Sequence, residues 1–180
     1  GITASDKIYD GSVTATMDGT AAVYSGLVSG DTFDGSYTGV FSNANVGTGK
    51  TVTITPSYSG ADVNNYTVTN QSSTTADISA KALTATASTA NKTYDGGTTA
   101  TTTLTFTGLV GSETLGQTVG STFDNKNVGS NKTVTVNSIT LADGSNGGLA
   151  ANYSISTGQT TTANITQKAL TVSGITASNK

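Results

Sequence analysis

Apolar and polar residues alternate one for one in several short blocks of this chain. In Lys50–Ile54, Val52 and Ile54 fall on one side and Thr51 and Thr53 on the other. Val134 and Val136 alternate with Thr133 and Thr135 in the same way. Tyr66 and Val68 alternate with Thr67 and Thr69, and Tyr153 and Ile155 repeat the pattern. Ala76 and Ile78, Ala163 and Ile165, Leu83 with Ala85 and Ala87, and Leu170 with Val172 all sit two apart. A period of two is that of a pleated strand with one face buried. The blocks therefore predict many short strands parted by Gly, Asn and Asp turns. No segment carries a sustained 3.6-residue period with caps. The one helical candidate is a single turn at "GLVSGD" or "GLVGSE", where Leu27 and Leu109 would tuck under a sheet edge.

The pattern is written twice. "KIYDG" at Lys7 returns as "KTYDG" at Lys92, and "SGLVSGDT" at Ser25 as "TGLVGSET" at Thr107. "NVGTGKTVTI" at Asn45 returns as "NVGSNKTVTV" at Asn127, "NNYTVT" at Asn64 as "ANYSIS" at Ala151, and "TADISAKALT" at Thr75 as "TANITQKALT" at Thr162. Ala22 and Tyr24 become Leu104 and Phe106. The order of blocks is the same in both copies, and their lengths differ only between blocks, as two copies of one fold would show. The domains expected are residues 1–80 and 81–169, with 170–180 as the start of a third copy or a linking strand, because "KALTVSGITASNK" repeats "KALTATASTANK". The chain thus reads as a slice of a longer tandem array. "ISAKALTATAS", between the copies, has no Pro, Gly or charge run and reads as strand running almost directly into strand.

An all-β fold follows, as two tandem immunoglobulin-like β-sandwich domains. A β-grasp-like domain with one helix is the alternative. Large apolar groups are few, so stability rests on Tyr9, Phe41 and Tyr66 and their counterparts Tyr94, Phe123 and Tyr153.

Composition removes several classes of chemistry. There is no Cys, His, Trp or Arg, and the net charge is −3 with scattered lysines. Without Cys or His there is no zinc ligand set and no Cys or His catalyst. Without clustered Lys or Arg there is no nucleic-acid footprint. No apolar run reaches the length of a membrane span, so no membrane insertion is expected, and no leader opens the chain. No catalytic set, cofactor site or metal site is predicted, although loop acids at Asp18, Asp34, Asp62 and Asp143 are the positions where calcium would sit. Six N-x-S/T triplets, at Asn65, Asn70, Asn91, Asn131, Asn152 and Asn164, are about what this composition yields by chance. Thr-x-Thr runs in "TATAST" and "TTTLTFT" raise an ice-binding face, but the two copies do not share them.

Taken together, "K-x-YDG", "GL-x-x-x-D/E", "NVG-x-x-K-x-VT", "NY" and "KALT" resemble the YDG-type repeat, related to MBG-type repeats, of bacterial filamentous-haemagglutinin-like surface adhesins. The resemblance covers nearly the whole chain twice, with Glu113 standing where the first copy has Asp31. It implies a non-enzymatic, extracellular stalk or spacer module that projects a functional region from the bacterial surface. Its partners would be neighbouring repeats of the same chain, with host or surface glycans and proteins met through other regions, and the chain would be a monomer. The alternative is a glycan- or protein-binding adhesive module, for which Phe33, Tyr37 and Tyr58 are the aromatics without a match in the second copy.

Two roles are open for the repeated residues. Tyr9-Asp10-Gly11 and Tyr94-Asp95-Gly96 read as a turn, with Gly at positive φ, Asp capping the backbone and Tyr anchoring the turn in the core. Alternatively, disulfide-free stalk domains can carry a Lys–Asn isopeptide cross-link. That chemistry needs a desolvated neutral Lys beside a protonated acid. Lys7 and Lys92, Lys50 and Lys132, Asn45 and Asn127, Asn65 and Asn152, Asp10 and Asp95, and Asp31 and Glu113 supply candidates in both copies.

Overall fold

The structure is a computed structural model describing residues 1–178. The Asn179–Lys180 end of the third repeat opening lies outside the described residues. Among the described residues there are fifteen strands: β1 (Thr3–Ala4), β2 (Lys7–Ile8), β3 (Thr14–Ala15), β4 (Met17–Asp18), β5 (Asp34–Phe41), β6 (Gly47–Ser59) and β7 (Ser73–Ser79), then β8 (Lys81–Thr89), β9 (Lys92–Thr93), β10 (Thr99–Ala100), β11 (Thr102–Thr107), β12 (Leu115–Phe123), β13 (Gly129–Asp143), β14 (Tyr153–Ile155) and β15 (Thr160–Thr166). The fold is all-β. Among the described residues the helical segments are two short 3₁₀ turns, Val63–Asn65 and Ala150–Asn152. The expected single turn at "GLVSGD" is therefore displaced. Those segments form plain turns, closed by Asp31 N to Val28 O and Glu113 N to Val110 O, and Leu27 and Leu109 are half-buried.

The chain forms two compact units. The first holds Gly1–Ala82 together with Val110–Glu113 and Asn146–Ser154; the second holds Leu83–Leu109, Thr114–Ser145 and the chain from Ile155 on. Unit membership thus differs from the repeat boundary: two loops of the second copy belong to the first unit. Each unit carries a five-stranded sheet of the same order. In the first it is β2-β7-β6-β5-β3, and in the second β9-β15-β13-β12-β10. The first strand of each list lies parallel to its neighbour, and the other pairs are antiparallel. A separate ladder accompanies each sheet. It is Thr3–Ala4 on Met17–Asp18 in the first unit and Thr84–Thr89 on Thr102–Thr107 in the second.

The two edge strands of each sheet are consecutive in sequence, with only Tyr9–Val13 between β2 and β3. A chain spans at most about 3.6 Å per residue, so those edges stay within roughly 20 Å of each other. The sheet must therefore curl. The residues that alternate inward fill the curl: Phe41, Val52, Ile54, Ala76 and Ile78 in the first unit, and Phe123, Val134, Val136, Ala163 and Ile165 in the second, are all buried. The ring of Tyr94 packs on the second of these clusters. Tyr66 differs from its counterpart Tyr153, being half-buried where Tyr153 is buried.

The pairings of β6 with β7 and of β13 with β15 each break register at one point. The shift falls between Gly47 and Lys50 and between Gly129 and Lys132. A left-handed residue sits in each, Gly49 at φ 58° and Asn131 at φ 50°. Its amide is capped by a side chain of the next strand, Asp77 Oδ1 at 2.7 Å and Asn164 Oδ1 at 2.8 Å. Such a bulge adds a residue and re-aims the side chain that follows, here a lysine. Phe123→Ala should lower stability by about 3–5 kcal/mol in urea titrations monitored by circular dichroism. A change below about 1 kcal/mol would show that the ring is not part of the core.

Candidate functional site

The repeated phrases converge on lysines. Lys7 leaves the edge strand β2 and crosses to the opposite edge. Its Nζ donates to Ser12 O at 2.9 Å, Ser12 Oγ at 3.0 Å and Thr14 O at 3.2 Å, and pairs with Asp10 Oδ1 at 2.7 Å. It also stands 5.6 Å from the centre of the Phe41 ring. Lys92 repeats this with Gly97 O at 3.0 Å, Thr99 O at 3.1 Å, Asp95 Oδ1 at 2.8 Å and the Phe123 ring at 5.7 Å. An ammonium has three donor hydrogens and no acceptor, so a ring of carbonyls and one carboxylate satisfies it. The aromatic face adds a cation–π contact.

The YDG turn supplies that ring. Gly11 and Gly96 take left-handed φ of 78° and 83°. Asp10 Oδ1 accepts Ser12 N at 2.8 Å, and Asp95 Oδ1 accepts Gly97 N at 2.8 Å. The backbone of each Tyr is fixed by Tyr9 N to Ser79 O and Tyr94 N to Thr166 O, both at 2.9 Å. Asp10 is pushed up by partial burial, but the hydrogen bonds from Lys7 and Ser12 outweigh this and hold its carboxyl below the ordinary value. Asp95 is held low by its hydrogen bond from Lys92, then by the Gly97 amide.

A second lysine follows each bulge. Lys50 Nζ donates to Asn43 Oδ1 and Lys132 Nζ to Asn125 Oδ1, both at 2.7 Å. The same oxygens accept Asn45 N and Asn127 N, both at 3.0 Å. Lys132 is buried and also pairs with Asp124 Oδ1 at 2.8 Å, which holds Asp124 low. Asn43, Asn125 and Asp124 were not singled out from the sequence. The shared "N-x-N" spacing ahead of "VG" was the available signal.

A third cluster lies in the first unit. The Glu113 carboxylate takes two phenols, Tyr9 Oη on Oε1 and Tyr153 Oη on Oε2, each at 2.6 Å. The two rings meet edge to face with centroids 5.4 Å apart. Tyr153 Oη also accepts Val110 N at 2.9 Å. Burial first, then the hydrogen bond to Glu113, pushes the Tyr9 phenol up to about 12. The buried Asn152 joins the cluster, accepting Val46 N at 2.9 Å and donating to Asn45 Oδ1 at 3.1 Å. In the first copy the counterparts Asp31, Tyr66 and Val28 form the same inner triangle. Tyr66 Oη donates to Asp31 Oδ2 at 2.5 Å and accepts Val28 N at 3.0 Å. No second phenol reaches Asp31 among the described residues, and Asn65 is exposed.

The cross-link candidates can now be placed. Lys7 and Lys92 face carbonyls and the carboxylates of Asp10 and Asp95, while Lys50 and Lys132 face the amides of Asn43 and Asn125. Asn45 meets Asn152. Asp31 and Glu113 meet tyrosines. Of the loop acids, Asp18 and Asp62 serve backbone and hydroxyl groups: Asp18 Oδ1 accepts Thr20 N at 2.8 Å and Asp62 Oδ2 accepts Thr32 N at 2.9 Å; Asp34 opens β5 and Asp143 closes β13. Among the described residues no group of three or more acids gathers as a metal site would require. The Thr-rich runs form the β8–β11 ladder, where Thr84 lies opposite Thr107, Thr86 opposite Thr105 and Ser88 opposite Thr103, all exposed. Phe33, Tyr37 and Tyr58 are half-buried and pack with Tyr24; Phe33 and Tyr58 lie 5.2 Å apart.

These features define an all-β repeat whose signature residues hold turns and edges in place. The family model of the YDG domain matches residues 1–76 and again 79–163, and the chain belongs to that family. Neither the curated proteins nor the solved structures contain a match to it.

Two expectations follow. Gly96→Ala meets no neighbour within 4 Å and carries only the left-handed strain, about 1–2 kcal/mol. A Cβ at Gly11 would also lie 2.8 Å from Val110 Cγ1, so Gly11→Ala should cost more in the same denaturation assay. Equal effects would place Val110 away from the turn. The second expectation concerns pH. Asp10, Asp95 and Asp124 are depressed in the folded state, so the unfolded chain binds protons more readily. Their contribution is full above the unfolded carboxyl value near 4 and is lost as pH falls through and below it. Tyr9 is raised to about 12, so its contribution is full below about pH 10 and fades between about 10 and 12. Thermal midpoints should be level from about pH 5 to 9 and fall on both sides, with Tyr9→Phe making the alkaline limb shallower. Rising stability at about pH 3 would contradict the acid limb.

Proposed function

We propose that the chain is a non-catalytic stalk or spacer repeat of a large bacterial surface adhesin, working outside the cell to hold a functional region away from it. The observation carrying this reading is the duplication of one sheet order together with its lysine-held turns. Force applied along a sheet is resisted by its ladders, and the Lys7 and Lys92 cages bind first edge to last within each sheet. A single residue, Ala80, separates β7 from β8. The family assignment supports a repeat. The adhesin and the surface location rest on the resemblance of the repeated phrases.

Single-molecule pulling on a polyprotein of this chain tests the reading. Discrete unfolding steps are expected, each releasing up to about 3.6 Å per residue of a unit. Smooth extension without steps at low force would remove the mechanical role. The packed aromatic group of Tyr24, Phe33, Tyr37 and Tyr58 favours a second reading, a glycan- or protein-binding module, because it has no full counterpart in the second copy. Saturable glycan-array binding lost in Phe33→Ala would establish that reading instead.

A further inference from the structure

Six Asp or Asn residues of the chain are followed by glycine: Asp10-Gly11, Asp18-Gly19, Asp34-Gly35, Asp95-Gly96, Asp143-Gly144 and Asn146-Gly147. In such a pair the glycine nitrogen can attack the side-chain carbon and close a five-membered imide, because no Cβ shields it and the backbone turns freely. The structure sorts the six. Asp10 and Asp95 are ion-paired with Lys7 and Lys92, and each Oδ1 accepts the amide two residues on. Asp18 Oδ1 takes Thr20 N at 2.8 Å and Thr20 Oγ1 at 2.7 Å. A carboxyl is ionised near neutral pH, and an anion resists attack at its carbon. A Cβ at Gly19, Gly35 or Gly144 would run into the Tyr37 ring, the Tyr24 hydroxyl or the Thr114 backbone. Backbone packed that closely cannot swing its nitrogen onto the preceding side chain.

Asn146-Gly147 differs on every count. Its side chain is a neutral amide, with ammonia as leaving group. Both residues are exposed, and both are left-handed, at φ 57° and 89°. Nothing lies within 4 Å of a Cβ built on Gly147. The pair also sits where a change would be felt. Asn146 Nδ2 donates to Ser112 O at 2.9 Å. Ser112 precedes Glu113, the acid that takes the phenols of Tyr9 and Tyr153, and Asn146, Ser112 and Glu113 all belong to the first unit. The amide therefore anchors the turn that carries the acid.

We propose that Asn146 is a self-modification site, which closes on Gly147, loses ammonia and ends as aspartate or isoaspartate, untying the Ser112–Glu113 turn. Gly147 N bonds to Asn146 Cγ, the Cγ–Nδ2 bond breaks, and the amide proton leaves with the departing nitrogen as ammonia. Water then adds to either carbonyl of the imide and breaks its bond to nitrogen. One opening gives aspartate; the other gives isoaspartate, with an extra methylene in the main chain. No oxidant, metal or second protein is consumed. The product has lost the donor that held Ser112 O and gained a negative oxygen facing that carbonyl. One added carboxylate moves the net charge from −3 to −4. The step is irreversible, so the turn under the phenol–carboxylate cluster is held by a bond with a limited lifetime. This inference does not depend on the surface location or the stalk role.

The test incubates the full folded chain in warm, mildly alkaline buffer and follows it by ion exchange and by mass spectrometry of its peptides. A more acidic species should grow in, with the change mapped to Asn146. Labelling by an isoaspartyl methyltransferase should report isoaspartate there. The folded chain should deamidate at Asn146 at least about tenfold faster than at any other asparagine, since no other is followed by glycine. Asn146→Gln keeps a donor but closes only a strained larger ring, and should remove the acidic species. Asn146→Asp mimics one product; it should shift the backbone amides of Val110–Glu113 in NMR spectra and lower the thermal midpoint. Modification first at another asparagine, or an Asn146 that reacts in urea but is silent in the folded chain, would overturn the site. An Asn146→Asp spectrum unchanged at Val110–Glu113 would overturn the untying.

Discussion

The connection that joins the first and last strands of each sheet in a handful of residues governs everything else. Because Tyr9–Val13 must span from one edge to the other, the sheet curls and its two open edges face each other. A curled edge pair leaves carbonyls turned inward, and a lysine stem reaching across meets them with three donors. The ammonium is more than a surface charge here. It stands in for the ladder that two strands too far apart to pair cannot make. The Asp of the YDG turn supplies the counter-charge, and its own geometry is set by the glycine that follows. The "K-x-YDG" phrase is thus one device, with no member that acts alone.

Much of the fold was legible. The alternation of Val52 with Ile54 and of Ala163 with Ile165 named buried faces, since a half-buried strand writes its two sides into consecutive residues. Repetition supplied the rest of the all-β reading. The parallel pairing of the edge strand was not legible: β2 and β9 are two residues long and carry no period. The 3₁₀ turns lie before "NY" and not at "GLVSGD", because a Gly-rich loop closes with single turns once its neighbours are fixed.

The site was legible in outline only. Lys7, Lys92 and the YDG residues stood out because they recur, but recurrence cannot tell an ammonium bound by carbonyls from one aimed at an amide. Asn43 and Asn125 went unmarked because their role depends on the bulge, which moves the following lysine by one place. The pairing of Tyr9 with Glu113 lies outside local reading altogether, since it joins residues from different copies within the first unit.

That last arrangement bears on how genes for such chains can grow and shrink. Tyr9 depends on an acid of the following period, 104 residues further on. Recombination that inserts or removes whole periods returns that phenol to an equivalent acid, whatever the breakpoint. A cut that drops a fraction of a period leaves a buried hydroxyl with nothing to hold. The phase of the repeat, more than any single residue, is then what selection would guard.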